Sequence, residues 1–139
     1  MWSLLVADFA SVIEKFGKNS LKAIEEVKRG AIIDLATSIV MQTPVDKGYL
    51  ANNWFLTLDK ETFKTSDKPD PSKMEVLDRI RRSAKAIDYK HVVYFANNLP
   101  YSVPIEYESH SMKAPSGMVR VNTARWDSIV EANIRRVTK

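Results

Sequence analysis

The sequence predicts a single α+β domain over residues 1–139, with a long N-terminal helix, a small, mostly antiparallel β-sheet, a middle helix and a C-terminal helix. Three observations support this fold class. Apolar residues recur at steps of three and four in three long segments, and two short segments are rich in β-branched and aromatic residues. The chain has 139 residues, the length of one ordinary domain. No apolar run approaches the ~20 residues that cross a bilayer, so we expect no contact with a membrane.

The long helix is predicted from Lys18 to Gln42, and Pro44 ends it because the residue before a proline disfavours α geometry. An apolar stripe follows one side of this helix and consists of Leu21, Ile24, Val27, Ala31, Leu35 and Ile39. Ile32, Ile33 and Val40 widen the stripe beyond what one packing partner needs. We therefore predict that part of the helix, around these three residues, packs between subunits.

Residues 1–17 are a second candidate for the contact between subunits. They include the apolar side chains of Trp2, Leu5 and Phe9, and Asp8 interrupts the apolar run. No basic n-region or small-residue cleavage site frames the segment, so it lacks the pattern of a signal peptide. We predict that it forms an inter-subunit arm.

Two strands are predicted, from Asn52 to Leu58 and from His91 to Ala96, because both stretches are rich in β-branched and aromatic residues. The polar, charged segment from Asp59 to Pro69 is predicted to be an exposed loop with a hairpin tip around Phe63. Since this loop has few apolar anchors, we expect it to be mobile in the free subunit and to become ordered against a neighbour.

Two further helices are predicted. The pair Asp70-Pro71 indicates a helix start, with a capping carboxylate followed by proline at the first helical position, and this middle helix is expected to end near Asp88. The last helix is expected to start near Asn122 or Thr123. Its apolar stripe consists of Trp126, Ile129, Val130, Ile134 and Val137.

The residue inventory argues against an enzyme. The chain has no cysteine and two histidines, which excludes disulfides, thiolate zinc sites and cysteine nucleophiles. Neither histidine has metal-ligand spacing: His91 is expected to pack at a strand and His110 to be solvated in a polar loop. Glu106 and Glu108 would share one face of a strand, where a salt bridge to a lysine or arginine is favoured over a bound cation. With no nucleophile elbow or phosphate loop, we predict no catalytic residue, no cofactor and no metal.

The net charge of +4 is modest, with 21 Lys and Arg against 17 Asp and Glu. Basic residues are concentrated near the C-terminus, at Arg120, Arg125, Arg135, Arg136 and Lys139. This pattern favours a solvated face and a basic helix C-terminus, and non-specific contact with phosphates stays open as the alternative.

Three short segments after the long helix combine turn residues with aromatic residues. They are Thr43-Pro44-Val45-Asp46-Lys47-Gly48-Tyr49-Leu50 followed by Asn53-Trp54, then Asn97-Asn98-Leu99-Pro100-Tyr101 ending in Ile105-Glu106-Tyr107, and Ala114-Pro115 with Gly117-Met118-Val119-Arg120. In the first segment, Asp46 can accept backbone N–H bonds and Gly48 supplies a permissive conformation, while Trp54 buries a large ring on the sheet. In the second, the prolines are expected to place the rings of Tyr101 and Tyr107 against the core or a neighbour.

In their order and spacing, these segments resemble the neck or tail-completion proteins of tailed bacteriophages, which are small subunits at the head–tail junction. The resemblance spans about Pro44 to Arg136. It implies structural roles for Pro44, Asp46, Gly48, Leu50, Trp54, Asn98, Pro100, Tyr101, Glu106, Tyr107, Pro115 and Gly117. The family usually has glycine after the Glu-Tyr pair, where this chain has Glu108. If that glycine takes a positive φ, the turn in this chain must be built differently.

The resemblance implies a virion structural protein, made in the cytoplasm of the host bacterium and located in the neck of the particle. A homo-oligomeric ring, by resemblance a hexamer, would complete the tail and join it to the head connector. Its neighbours would be connector or stopper proteins and tail-terminator or tail-tube proteins. The alternatives are a tail terminator or connector adaptor of the same assembly, and a small basic nucleic-acid-binding accessory protein.

DNA would be a passing contact in a neck ring and not a specific ligand. Because DNA must slide through the channel, we expect weak binding that collapses between low and physiological salt. The lumen is then expected to be acidic or mixed. The arginines of the last helix are expected mostly to pair with carboxylates or to face partner proteins.

Overall fold

The computed structural model describes residues 21–139, and its first element is the predicted long helix. Helix α1 spans Leu21–Gln42. The helix ends there because Pro44 lies two residues further on. The helix start predicted at Lys18 and the predicted arm lie outside the described residues, and so do its Trp2, Leu5 and Phe9.

The sheet is small and antiparallel, as predicted. Strand β1 spans Trp54–Leu58 and strand β2 spans Val93–Asn97, with Trp54 opposite Asn97 and Leu58 opposite Val93. Strand β1 starts two residues later than expected because residues 51–53 form a 3-10 turn. Strand β2 likewise starts after His91 and not at it. Beyond the ladder, the N–H of Asp59 donates to the carbonyl of Val92 at 2.7 Å, and the N–H of Val92 donates to the side-chain Oδ1 of Asp59 at 3.0 Å.

Four shorter helices complete the described chain. They are α2 (Met74–Ala84), α3 (Ser102–Tyr107), α4 (Arg120–Thr123) and α5 (Trp126–Val137). The combination of these helices with a two-stranded antiparallel sheet confirms the predicted α+β class. The last helix differs from its prediction, because α5 starts at Trp126 and the residues at the predicted start belong to the separate turn α4.

The predicted start and the predicted end of the middle helix are both wrong. Lys73 has a left-handed backbone with φ of 66°, so regular helix starts after it and not directly after Asp70. Asp70 still caps the helix, because its Oδ2 accepts the N–H of Val76 at 2.8 Å. The helix ends at Ala84, four residues before the predicted end at Asp88.

The segment between β1 and α2 is an exposed loop, as predicted, but it is not a hairpin. Residues 61–70 contain no strand, turn or bend, so the segment that runs back beside β1 forms no strand ladder with it. Asparagine side chains hold its backbone. Asn53 donates from Nδ2 to the carbonyl of Ser66 at 3.0 Å, and Asn52 donates to the carbonyl of Lys68 at 2.9 Å.

Helix α1 lies at the centre of the core and packs against both α5 and α2. Val40 has no exposed surface, so its predicted place at a subunit interface is wrong and it belongs to the core instead. Ile32 and Ile33 are half-buried and pack against the same core, and their part in an interface stays a prediction. No helix within residues 21–139 has the length and apolar character needed to span a bilayer.

Candidate functional site

The three motif segments, residues 43–54, 97–107 and 114–120, meet at one end of the sheet, which we call the motif end. Asn97 on the second segment donates from Nδ2 to the carbonyl of Leu50 on the first, at 2.8 Å. Lys113 in the loop before the third segment donates from Nζ to the carbonyl of Val45 at 3.0 Å. Segments far apart in sequence are therefore joined side chain to backbone.

Trp54 anchors the first segment to α1 and to the sheet. Its Nε1 donates to Oγ1 of Thr43 at 2.9 Å, and that hydroxyl donates in turn to the carbonyl of Ile39 at 2.7 Å. The indole ring stacks on Phe95 of β2, with ring centroids 4.9 Å apart. The ring is buried, as the sequence predicted, and its one polar atom is satisfied.

Gly48 makes the close backbone turn of this segment. Its φ is +97°, and a Cβ built on it would lie 2.4 Å from the backbone nitrogen of Pro71. Its carbonyl accepts the N–H groups of Asn52 at 3.2 Å and Asp70 at 3.0 Å. Asp46 does not play its predicted part, because it is exposed and accepts no hydrogen bond from a described residue. The turn is therefore held by the glycine carbonyl and not by the aspartate.

The second segment projects its aromatic residues outward. Tyr101 is 42% exposed and Tyr107 is 64% exposed, so neither ring is packed in the core of the subunit. Burial raises the pKa of Tyr101, and the nearby Asp46 and Tyr49 raise it further. The guanidinium of Arg120 lies 4.7 Å from the centre of the Tyr107 ring. Pro100 is exposed beside Tyr101.

Glu106 is the polar centre of the motif end. It is 6% exposed and lies in α3, so the strand on which it was to share a face with Glu108 is absent from the described fold. Its Oε1 accepts the N–H groups of Met118 at 2.6 Å and Val119 at 2.7 Å, and its Oε2 accepts the N–H of Arg120 at 3.0 Å. Nε of Arg120 also donates to Oε2 at 3.0 Å, which is the predicted salt bridge.

These contacts set the charge state of Glu106 and explain a second glycine. Burial raises the pKa of Glu106, but the hydrogen bonds from the backbone N–H groups of residues 118–120 and from the Arg120 side chain outweigh it, so the net pKa is lowered. Gly117 has φ of +86°, and a Cβ there would lie 2.6 Å from the carbonyl oxygen of Glu106. The glycine thus allows the loop backbone to approach the carboxylate.

The position where the resembled family usually has glycine is built without a positive φ. Glu108 has φ of −115°, and the left-handed residue is the next one, Ser109, with φ of 51°. The hydroxyl of Ser109 donates to the carbonyl of Pro115 at 2.7 Å and closes the turn. In this turn the left-handed conformation is therefore taken by Ser109 and not by Glu108.

An open groove of about 550 Å³ lies at the motif end. Its apolar and aromatic lining is Pro44, Tyr49, Leu50, Tyr101 and Ile105, with Asp46, Lys47 and His110 among the polar residues. Seven of these eight residues lie in the first two motif segments, and His110 is the exception. No periodicity argument could have predicted the groove, because it forms only when segments distant in sequence meet.

The ionisable residues at the opposite end of the sheet, which we call the charged end, form a compact group. Nδ1 of His91 lies 2.8 Å from Oδ2 of Asp59, and Nε2 lies 3.7 Å from Oδ2 of Asp88. Lys28 of α1 donates to the carbonyls of Asp88 at 2.9 Å, of Tyr89 at 3.3 Å and of His91. Residues 21–139 contain no group of three His, Cys, Asp or Glu side chains able to hold a metal ion.

Among the described residues no arginine of the last helix forms the expected salt bridge, and the arginine that does pair with a carboxylate, Arg120, precedes that helix. Arg120 pairs with Glu106, whereas Arg125 donates to Oδ1 of Asn122 at 3.4 Å and Arg136 to Oδ1 of Asn133. Two of these three arginines therefore contact side-chain amides and not carboxylates, and both remain exposed.

Some contacts were missed by the sequence argument. Asn53 is fully buried and joins the turn to the loop, since Nδ2 donates to the carbonyl of Tyr49 at 2.7 Å and Oδ1 accepts the N–H of Ser66 at 2.8 Å. Asn98, for which the resemblance implied a structural role without naming partners, donates to the carbonyls of Thr62 and Lys64. The signal available in the sequence was the density of asparagine beside both strands, because buried asparagines commonly satisfy loop backbone.

Comparison with protein-family models, with curated proteins and with solved structures gave no match.

Proposed function

We propose that the protein is a structural subunit of the neck of a tailed bacteriophage, where a ring of copies completes the tail and joins it to the head connector. The proposal rests on the motif resemblance. The observation that best supports it is that the residues of the resemblance are engaged in building the backbone framework: Trp54 bonds to Thr43, the Gly48 carbonyl joins two segments, and Glu106 binds three consecutive N–H groups.

The exposed apolar surface of the motif end also supports a subunit whose work is assembly. Tyr101, Val103 and Tyr107 are 42%, 56% and 64% exposed, and Tyr49 is 39% exposed beside the groove. Aromatic residues are enriched at protein interfaces, where they bury large areas with little loss of rotamer entropy. Such a surface suits contact with a neighbouring copy or with the next ring of the neck.

The test is genetic and structural. A phage that carries this gene with an early stop codon should yield DNA-filled heads and separate tails, and purified chain added to that lysate should restore infectious particles. Electron microscopy of the wild-type virion should locate the chain at the head–tail junction. Complete, infectious virions that lack the chain would rule the proposal out.

DNA affinity separates this proposal from the nucleic-acid-binding alternative. A neck subunit should bind duplex DNA no more tightly than the ~10⁻⁴–10⁻⁶ M typical of non-specific contact, with affinity falling steeply as salt is raised. Titration of labelled duplexes of unrelated sequence at low and physiological salt measures this. Sub-micromolar, sequence-selective binding at physiological salt would favour the accessory-protein alternative.

A further inference from the structure

The loop between β1 and α2 presents a single aromatic ring to solvent from a backbone that is held in place. Phe63 is 79% exposed. On either side of it, the carbonyls of Thr62 and Lys64 accept hydrogen bonds from Nδ2 of Asn98 at 2.9 and 3.0 Å. Because both flanking carbonyls already accept hydrogen bonds within the subunit, docking this ring would order few additional backbone groups. A pre-organised aromatic side chain is the usual anchor of a protein interface.

The groove at the motif end has the chemistry and size to receive such a ring. Its volume of about 550 Å³ is large enough for an aromatic side chain, and its walls carry Tyr49, Tyr101 and Pro44. Both tyrosine rings are partly exposed, which leaves their faces free for contact with another aromatic ring.

The charges beside the ring and beside the groove are complementary. Phe63 has Glu61 two residues before it and Lys64 directly after it, and the groove carries Asp46 and Lys47. All four charged residues are exposed, and none forms a salt bridge with a described residue. A ring seated in the groove could therefore place Glu61 beside Lys47 and Lys64 beside Asp46.

We infer that the loop of one copy inserts Phe63 into the motif-end groove of a second copy, with Glu61 against Lys47 and Lys64 against Asp46. The second copy is the occupant because one chain carries both complementary surfaces, and in the subunit the fixed loop directs Phe63 to solvent. Two different patches in contact make a head-to-tail interface, which closes into a ring when the rotation allows. The inference rests on the proposed function, since it assigns the contact between neighbouring copies.

The first test removes the anchor. Phe63→Ala should weaken self-association of the full chain about 30-fold or more, as loss of an interface hot spot does. Because the ring is exposed in the subunit, the thermal midpoint should be unchanged at dilutions where both proteins are monomeric. Met112→Ala is the matched control, since Met112 is 97% exposed and lies outside the groove lining. Sedimentation velocity over a concentration series measures both variants against the wild type.

The second test reverses the charges. Lys47→Glu and Glu61→Lys should each weaken self-association about 3- to 10-fold, and the double variant should recover most of the loss because the pair is restored with its signs exchanged. Loss without recovery in the double variant would contradict the pairing of these two residues.

A third test uses the absence of cysteine from the chain. Copies carrying Thr65→Cys mixed with copies carrying Ser111→Cys should form a disulfide between chains under mild oxidation, since position 65 follows the loop anchor and position 111 lines the groove. Copies carrying Asp127→Cys, mixed with the Ser111→Cys copies, are the control and should not form this dimer.

The outcomes separate this inference from the proposed function. Self-association that is indifferent to Phe63→Ala, or a wild-type chain that stays monomeric at millimolar concentration, would overturn the inference. Neither result would bear on whether the chain lies in the virion neck, which the stop-codon and microscopy experiments decide independently.

Discussion

The two ends of the sheet are stabilised by different chemistry. At the motif end, where Trp54 lies opposite Asn97, buried or half-buried side chains form the hydrogen bonds, most of them with backbone groups. At the charged end, where Leu58 lies opposite Val93, the ionisable side chains of Asp59, Asp88 and His91 form ion pairs that are partly or fully open to solvent.

Because of this difference, we expect mutations at the two ends to change stability by different amounts. A side chain that satisfies several buried N–H groups cannot be replaced by water, so its removal leaves those groups unpaired and costs much stability. An exposed ion pair is hydrated and screened, so its removal costs little, and its contribution depends on pH and salt. Mutations at the motif end should therefore cost much stability. Mutations at the charged end should cost little, by an amount that depends on pH and salt.

The largest effect is expected at Glu106. Glu106→Ala leaves the N–H groups of Met118, Val119 and Arg120 without their acceptor, and it leaves Nε of Arg120 unpaired. We expect a loss of about 3 to 5 kcal/mol in the free energy of unfolding, measured by urea denaturation.

Glu106→Gln is the control for Glu106→Ala. It keeps the shape and one acceptor oxygen and removes the charge, so it should cost about half as much. Equal stability of the Ala variant and the wild type would show that the carboxylate does not hold the loop.

The second effect is expected at Gly48. Gly48→Ala places a Cβ 2.4 Å from the Pro71 nitrogen at a residue with φ of +97°, so the turn and the loop beside it must move apart. We expect a loss of about 2 to 4 kcal/mol, read from the midpoint of thermal unfolding. The adjacent Lys47→Ala is exposed and should change stability by less than about 0.5 kcal/mol. A Gly48→Ala variant as stable as Lys47→Ala would contradict this account of the turn.

Much of the fold followed from periodicity, because helical and strand spacing report directly which face of an element is buried. Helix α1 was predicted on that basis, whereas the two strands were predicted from their β-branched and aromatic residues and the permissive role of Gly48 from turn chemistry. Helix α3 was not predicted, since a six-residue helix has too few turns to show a period. Its position is fixed by the contact between Glu106 and the loop before α4, which depends on residues more than ten positions away.

The candidate site was less accessible to sequence reasoning than the fold. Asp46 was expected to bond within its turn, but the carbonyl of Gly48 does so instead, and a main-chain acceptor leaves no trace in the sequence. Val40 was placed at an interface because periodicity shows how wide an apolar surface is but not how many partners cover it. Phe63 is a different case, because it is a lone aromatic residue in a charged loop. The sequence shows no local partner for its ring, which must either turn inward or remain exposed.

The third effect is expected at Lys28, a buried residue at the charged end. Its Nζ donates to three carbonyls in the segment from Asp88 to His91, and burial lowers its pKa, with Asp88, Asp59 and Glu25 acting in the opposite direction. Lys28→Met keeps the packed stem and removes the donors, so we expect a loss of about 1 to 2 kcal/mol in urea denaturation. A loss as large as that of Glu106→Ala would abolish the contrast between the two ends.

The smallest effect is expected at Asp59, and it should depend on pH. The hydrogen bond from His91 and then that from the Val92 N–H lower the pKa of Asp59 below its ordinary 3.8. A lowered pKa means that the folded state favours the carboxylate, so the contribution to stability is present above pH 3.8 and is lost as the pH falls through the folded-state pKa.

Asp59→Asn tolerates the left-handed backbone, φ 65°, and keeps an acceptor for Val92, so it should remove only this pH-dependent part. The variant should therefore approach wild-type stability as the pH falls towards 2 and be slightly less stable at pH 6, with the gap narrowed by 0.5 M salt. Thermal unfolding at both pH values measures it, and a gap that widens in acid would reverse the sign and refute the assignment.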